Sequence, residues 1–459
     1  MTVKALTPVR NLNLVAPLPH EGTVMRAIDT AATVQVWSGA VSPLIGFDLR
    51  QGDVDSANQR RLPATTPGIR TSATATRTTT TRSSKAAPAW SADSYPFSFE
   101  ELVQAYLDCR KSKRNTASAL AFESQLERNL CALYEELTSG AWRPGRSICF
   151  VITRPKPREV WAADFRDRIV HHLLYNRIAA RFHASFVHSS CACIPSRGTL
   201  YAAKLLEHDV RSVTQNWSRP AFYLKCDLAN FFVAIDKVTL RDQLARKVHE
   251  PFWLALAETI LFHDPREDHE LRGRAELLAR VPAHKSLFNA PAHTGLPIGN
   301  LSSQFFANVH LDALDQFAKH QVRATRYVRY VDDFILLHES PQWLRQAYYR
   351  IAAFLPERLG ARLNPKKTIL QPVDRGIDFV GHVIKPWSRT TRPRTVATAL
   401  HRIETLPAAD VFATGNSYLG LVRQAGRSHQ DQVAIGRALL KRGHAIDGGL
   451  TKIFRRKTA

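Results

Sequence analysis

Residues 326–338 read RYVRYVDDFILLH. Two apolar runs, rich in β-branched and aromatic residues, flank the aspartate pair Asp332–Asp333. The pattern predicts two strands joined by a tight polar turn. Neighbouring side chains of a continuous strand point to opposite faces, so a turn is what lets both carboxylates reach one edge. Asp is common in turns, and the pair alone says little about chemistry. Its setting says more, because two carboxylates amid apolar sequence are costly unless cations join them.

A second acidic element lies upstream. In YLKCDLANFFVAID (223–236), Asp227 closes an apolar strand and aromatics follow it. Asp227, Asp332 and Asp333 together supply the hard oxygen ligands that suit Mg2+. Phosphoryl transfer by two such ions, about 3.5–4 Å apart, needs a carboxylate set of this kind. Asp236 reads instead as a helix start or turn residue.

Around these motifs the chain is mixed. Leu126, Leu130, Leu133 and Leu137 recur at helical spacing, with Gly140 as the stop. A further helix is predicted over 164–181, and helical stretches around 344–359 and in the C-terminal quarter. Segment 148–160, ICFVITRPKPREV, reads as β. Interleaved strands and helices predict an α+β layer structure.

Bulk properties narrow the partners. The 459 residues carry 63 Lys plus Arg against 40 Asp plus Glu, a net charge of +23. A bias of that size points to a polyanion such as nucleic acid. Six cysteines are few for the length and predict reduced thiols in a cytoplasmic protein rather than a disulfide scaffold. His188, Cys191 and Cys193 lack a second ligand pair at zinc-finger spacing. No apolar run is long enough to predict a membrane span. Segment 56–92 holds no Asp or Glu, and TSATATRTTTTRSSKAAP (71–88) is low-complexity. Residues 1–95 are therefore expected to form a disordered basic extension.

Read together, YVDD, the strand ending at Asp227, and the segments between and after them resemble the reverse transcriptase family across most of 97–459. The resemblance implies a right-hand polymerase. Fingers would span 96–220. A palm of antiparallel sheet and packed helices would span 221–385, with a fingers insertion around 250–295. A helical thumb would span 386–459. It implies RNA-directed DNA synthesis with two Mg2+ ions, Mn2+ able to substitute, held by Asp227, the Leu228 backbone, Asp332 and Asp333. Phe232, five residues after Asp227, would block the ribose 2′-hydroxyl and select dNTPs.

Further residues follow from the same resemblance. Lys156 and Arg158 would grip the incoming triphosphate, and Lys366, beside Lys367, would lie near its exit. Pro297, Ile298 and Gly299 of GLPIGNLSSQFF (295–306) would line the nucleotide. Arg197, Gly198, Ser303, Gln304, Tyr330, Phe379 and Gly381 would contact template or primer. Arg402, Arg423, Arg427, Lys441 and Arg442 would track the duplex backbone. The box G-L-P-I-G-N-L-x-S-Q is similar to diversity-generating retroelement enzymes, in which Ile298 replaces an amide side chain beside the sugar. That implies error-prone copying of a retroelement template RNA and a small basic accessory variability protein as partner. A defence enzyme copying a dedicated non-coding RNA, and a non-catalytic RNA-binding relic, are the competing expectations.

Overall fold

The computed structural model describes residues 96–111, 116–153 and 156–455; the basic extension expected over 1–95 lies outside them. At the centre is a four-stranded antiparallel sheet in the order Arg326–Tyr330, Asp333–His338, Phe222–Asp227, Ile369–Pro372. Its strands are apolar at most positions because both faces are covered. Leu224, Cys226, Tyr327, Phe334 and Leu336 enter the large core, while Tyr223, Val328, Tyr330, Ile335 and Leu337 enter a second one. The period-two alternation of the side chains sorts them to the two sides.

Helices supply both covers. Leu301–Gln316 and Pro341–Leu359 belong to the large core, and Thr199–Val213 packs under the other face. Phe165–His183 lies between Phe99–Arg110 and Leu301–Gln316. The Phe99 helix opens with a reciprocal capping box between Ser98 and Glu101, which satisfies two backbone donors that a helix start leaves bare. Asp236 caps Lys237–Ala245 by accepting the Thr239 N–H at 2.6 Å, as its position in the sequence predicts.

A small sheet stands beside this body. Ser147–Ile152 pairs antiparallel with Arg158–Ala162 and parallel with His269–Arg272. The 250–295 insertion thus adds a strand to the sheet that carries Arg158. A three-stranded meander, Ile377–Phe379, His382–Lys385 and Ser388–Thr391, leads out of the central sheet. Three helices follow, Pro393–Thr405, Ala408–Val422 and His429–Lys441, around their own apolar cluster. The six cysteines are free thiols. Among the described residues no helix is long and apolar enough to cross a membrane.

Candidate active site

Register brings the acidic residues together. Asp227 and Asp333 are cross-strand partners at the end of the sheet, and Leu228 N–H donates to the Asp332 carbonyl at 3.2 Å. Asn364 N–H fixes the Asp227 carbonyl at 2.8 Å. Asp333 also shares a side-chain hydrogen bond with Asp227. Burial and the neighbouring carboxylates Asp333 and Asp227 push the Asp332 carboxyl up to about 7. Burial likewise raises Asp333, with Lys225 opposing. Gathered anions that hold their protons are a site short of positive charge.

Cations close in from three directions. Lys367 Nζ lies 2.7 Å from both oxygens of Asp227, a buried residue. Lys225 Nζ sits 3.8 Å from Asp333 and donates to the Asp378 carbonyl at 2.9 Å. Lys156 is lowered by burial, then by Lys367, Lys285 and Arg158, so these four charges face one another. Burial, Lys367 and Arg158 lower Lys285 in turn, with Asp227 and Asp332 opposing. Among the described residues no three His, Cys, Asp or Glu side chains close into a finished ion cage. At Asp227 an ammonium holds the carboxylate instead.

Phe232 and the Pro297–Gly299 turn are joined to each other and to the Arg158–Ala162 strand through backbone hydrogen bonds. The Phe232 carbonyl accepts the Leu296 N–H at 2.8 Å, which joins the aromatic to the Pro297–Gly299 turn. Trp161 N–H donates to the Ile298 carbonyl at 2.7 Å, docking that turn on the Arg158–Ala162 strand. Gly299 has φ +137°, and a Cβ there would stand 2.7 Å from the Trp161 carbonyl oxygen. Its missing side chain serves this backbone contact.

Residues 154–384, half of the chain, match the family model described as "Reverse transcriptase (RNA-dependent DNA polymerase)". The chain belongs to the reverse transcriptase family. Its central sheet lies within the matched segment and has the place of a reverse-transcriptase palm. Comparison with curated protein sequences finds no match. Among solved structures, telomerase from Candida albicans in complex with a TWJ fragment of telomeric RNA is similar at 14% identity, over 65% of this chain and 56% of that one, with a TM-score of 0.38. Apo telomerase from Candida tropicalis, truncated from its C-terminal domain, is similar at 12% identity, over 54% and 55%, with a TM-score of 0.40. The reverse transcriptase thus spans little more than half the length of either chain.

The other residues expected to meet nucleotide, template or primer take the following places. Lys367, not Lys366, meets the carboxylates; Lys366 is exposed. Ser303 is buried and lines a recess with Asp167, His171 and Asn300; Gln304 is half-buried. Arg197 donates to the carbonyls of Val187 at 2.8 Å and Ser190 at 3.2 Å, bracing its own loop, and Gly198 is the N-cap of the next helix. Phe379 is buried as an anchor of the meander and Tyr330 as part of the palm core. Gly381, at φ +91°, accepts the Arg392 N–H at 3.1 Å. Arg442 donates to the carbonyls of Glu404 and Leu406, both at 2.6 Å, and Arg402 lies over Tyr418, whereas Arg423, Arg427 and Lys441 are exposed.

Reverse transcriptases generally use divalent metal ions, and in this chain an ammonium already occupies the Asp227 carboxylate. Lys367→Met leaves a buried carboxylate without its counter-charge. In EDTA the variant should melt roughly 2–5 °C below wild type, and divalent ions should raise its melting temperature more than they raise that of wild type. Differential scanning fluorimetry in EDTA and in Mg2+ reads both; identical curves for the two proteins would remove the charge-balancing role.

Proposed function

We propose that this reverse transcriptase copies a retroelement template RNA into error-prone cDNA, with Asp227, Asp332 and Asp333 holding two Mg2+ ions that Mn2+ can replace. One observation carries the reading: three carboxylates share one edge of the palm sheet, and four cations, Lys156, Arg158, Lys285 and Lys367, gather before them. Carboxylate oxygens and the Leu228 backbone form a hard donor set of the type that Mg2+ takes. An ammonium already bound to Asp227, and a neighbouring carboxyl raised to about 7, mark a place that favours positive charge. When bound, such ions activate the primer 3′-hydroxyl and steady the pyrophosphate.

The protein's own side chains do the rest. Lys156, Arg158 and Lys285 collect the triphosphate and spread its charge over several donors. Lys367 balances Asp227 beforehand. Phe232, held against Leu296, closes the space where a ribose 2′-hydroxyl would stand and so selects dNTPs. Ile298 places an apolar side chain beside the sugar, and the loss of an anchoring amide loosens geometric selection.

The same reading divides the chain. Fingers occupy 96–220 together with the insertion around 250–295, whose strand joins the Arg158 sheet. The palm occupies 221–385 and the thumb 386–459. Exposed Arg423, Arg427 and Lys441 suit the backbone of an RNA–DNA hybrid. A small basic accessory variability protein is the further partner of this assignment.

Primer extension on an RNA template tests the centre of the proposal. Asp332→Asn should cut the rate by roughly 10³-fold or more while leaving RNA binding in place; a variant that extends at the wild-type rate would sink the carboxylate assignment. Phe232→Ala should lower discrimination against rNTPs by roughly 10²-fold, read as the ratio of kcat/KM for dNTP and rNTP, and an unchanged ratio removes the steric role. Sequencing of cDNA made by Ile298→Gln should show fewer substitutions opposite template adenines than wild type; equal spectra speak against the error-prone, diversity-generating reading.

A further inference from the structure

Directly behind the aspartate turn lies Arg329, 0% exposed. Its Nε and Nη2 donate to the two oxygens of Asp315 at 2.7 and 2.6 Å. Asp315 comes from the buried face of the Leu301–Gln316 helix and also accepts the Tyr327 hydroxyl at 2.7 Å. Nη2 further donates to Ser190 Oγ at 2.7 Å, and Nη1 to Asn308 Oδ1 at 3.2 Å. Asn308 is itself held, through its Nδ2 on the Ala192 carbonyl at 2.7 Å. The guanidinium is therefore fixed in plane and direction by the Leu301–Gln316 helix and the loop that carries Ser190.

One donor remains pointed at the turn. Arg329 Nη1 donates to the Val331 carbonyl at 3.0 Å. Val331 precedes Asp332 and has φ +57°. A β-branched residue rarely adopts that left-handed backbone, and it stays there only where its surroundings impose it. The Val331 carbonyl belongs to the peptide that leads into Asp332, so its direction sets where the two aspartates leave the strand. A buried ion pair by itself is weak evidence for a stabilising role, since apolar residues fill such space equally well. The contact with the turn is what an apolar pair could not reproduce.

We propose that Arg329, aligned by Asp315, Asn308 and Ser190, is a positioning residue: it clamps Val331 in the left-handed conformation and thereby aims Asp332 and Asp333 at the metal ions. The proposal rests on the carboxylate assignment above. Lysine in place of Arg329 keeps a charge on Asp315 but lacks the planar fork that reaches both Asp315 and the turn. Glycine in place of Val331 takes a positive φ without a clamp.

These two facts make a rescue experiment. Mn2+ binding to the full chain without nucleic acid is measured from the electron paramagnetic resonance of free Mn2+, and primer extension gives kcat and the KM for dNTP. Arg329→Lys should weaken Mn2+ binding and lower kcat by roughly 10–100-fold with little change in KM. Adding Val331→Gly to Arg329→Lys should restore most of both losses. Wild-type Mn2+ binding and kcat in Arg329→Lys, or losses that Val331→Gly does not repair, would overturn the clamp and leave Arg329 as packing alone. Should Arg329→Lys prove unfolded by circular dichroism, Asp315→Asn takes its place in the same comparison, with the same rescue expected. Asp332→Asn is the control: if it binds Mn2+ and extends primers like wild type, the carboxylate assignment has failed, and the clamp with it.

Discussion

Repulsion among Asp227, Asp332 and Asp333 is the constraint around which the molecule is organised. Burial raises the affinity of Asp332 and Asp333 for protons, and the neighbouring carboxylates add to the effect. A fold can hold such a group only by pairing it with cations and by leaving the side chains nowhere else to go. The palm does both. Its strands are locked by apolar packing on two faces, and lysines from the Asp227 strand, from the turn at Pro365–Lys367 and from the insertion stand around the opening.

The cations differ in their backing. Lys225 is tethered through the Asp378 carbonyl, and Lys367 grips Asp227 directly. Burial lowers Lys156 and Lys285, and neighbouring cations, Lys367 and Arg158 among them, lower both further. Like charges held close without a counter-ion store the affinity that a polyphosphate releases. The acidic edge and the basic rim thus pose complementary demands, one for metal ions and the other for phosphate.

Much of this architecture could be read from periodicity. Apolar runs point to the strands found at 222–227, 326–330 and 333–338, and the helical stretches expected over 164–181 and around 344–359 are found at 165–183 and 341–359. Residue order along an element survives folding, so Asp227 and Asp332–Asp333 could be found as strand ends. What folds over them could not. Lys285 lies among short 3-10 turns without a period, and nothing local says that this segment returns to the aspartates. Lys366 and Lys367 are neighbours, and the turn that sends one outward and the other to Asp227 depends on Asn364 and the Leu363 bridge to Leu228. Ser303, Phe379 and Tyr330 were legible as motif members, yet motif membership does not tell a buried supporting side chain from one that meets a ligand. Arg329 looks like one more basic residue until Asp315 is seen across from it.

Two-sided burial of the palm sheet has a consequence for how such a chain can diverge. Sliding the Phe222–Asp227 strand by one residue would exchange every side chain between the two cores and pull Asp227 out of line with Asp333. An insertion or deletion inside either strand would break that pairing, whereas the exposed run 273–276, which belongs to neither palm core, can take one at far lower cost. The sheet behaves as a ruler with fixed graduations, and variation is confined to the lengths of chain hung between its marks.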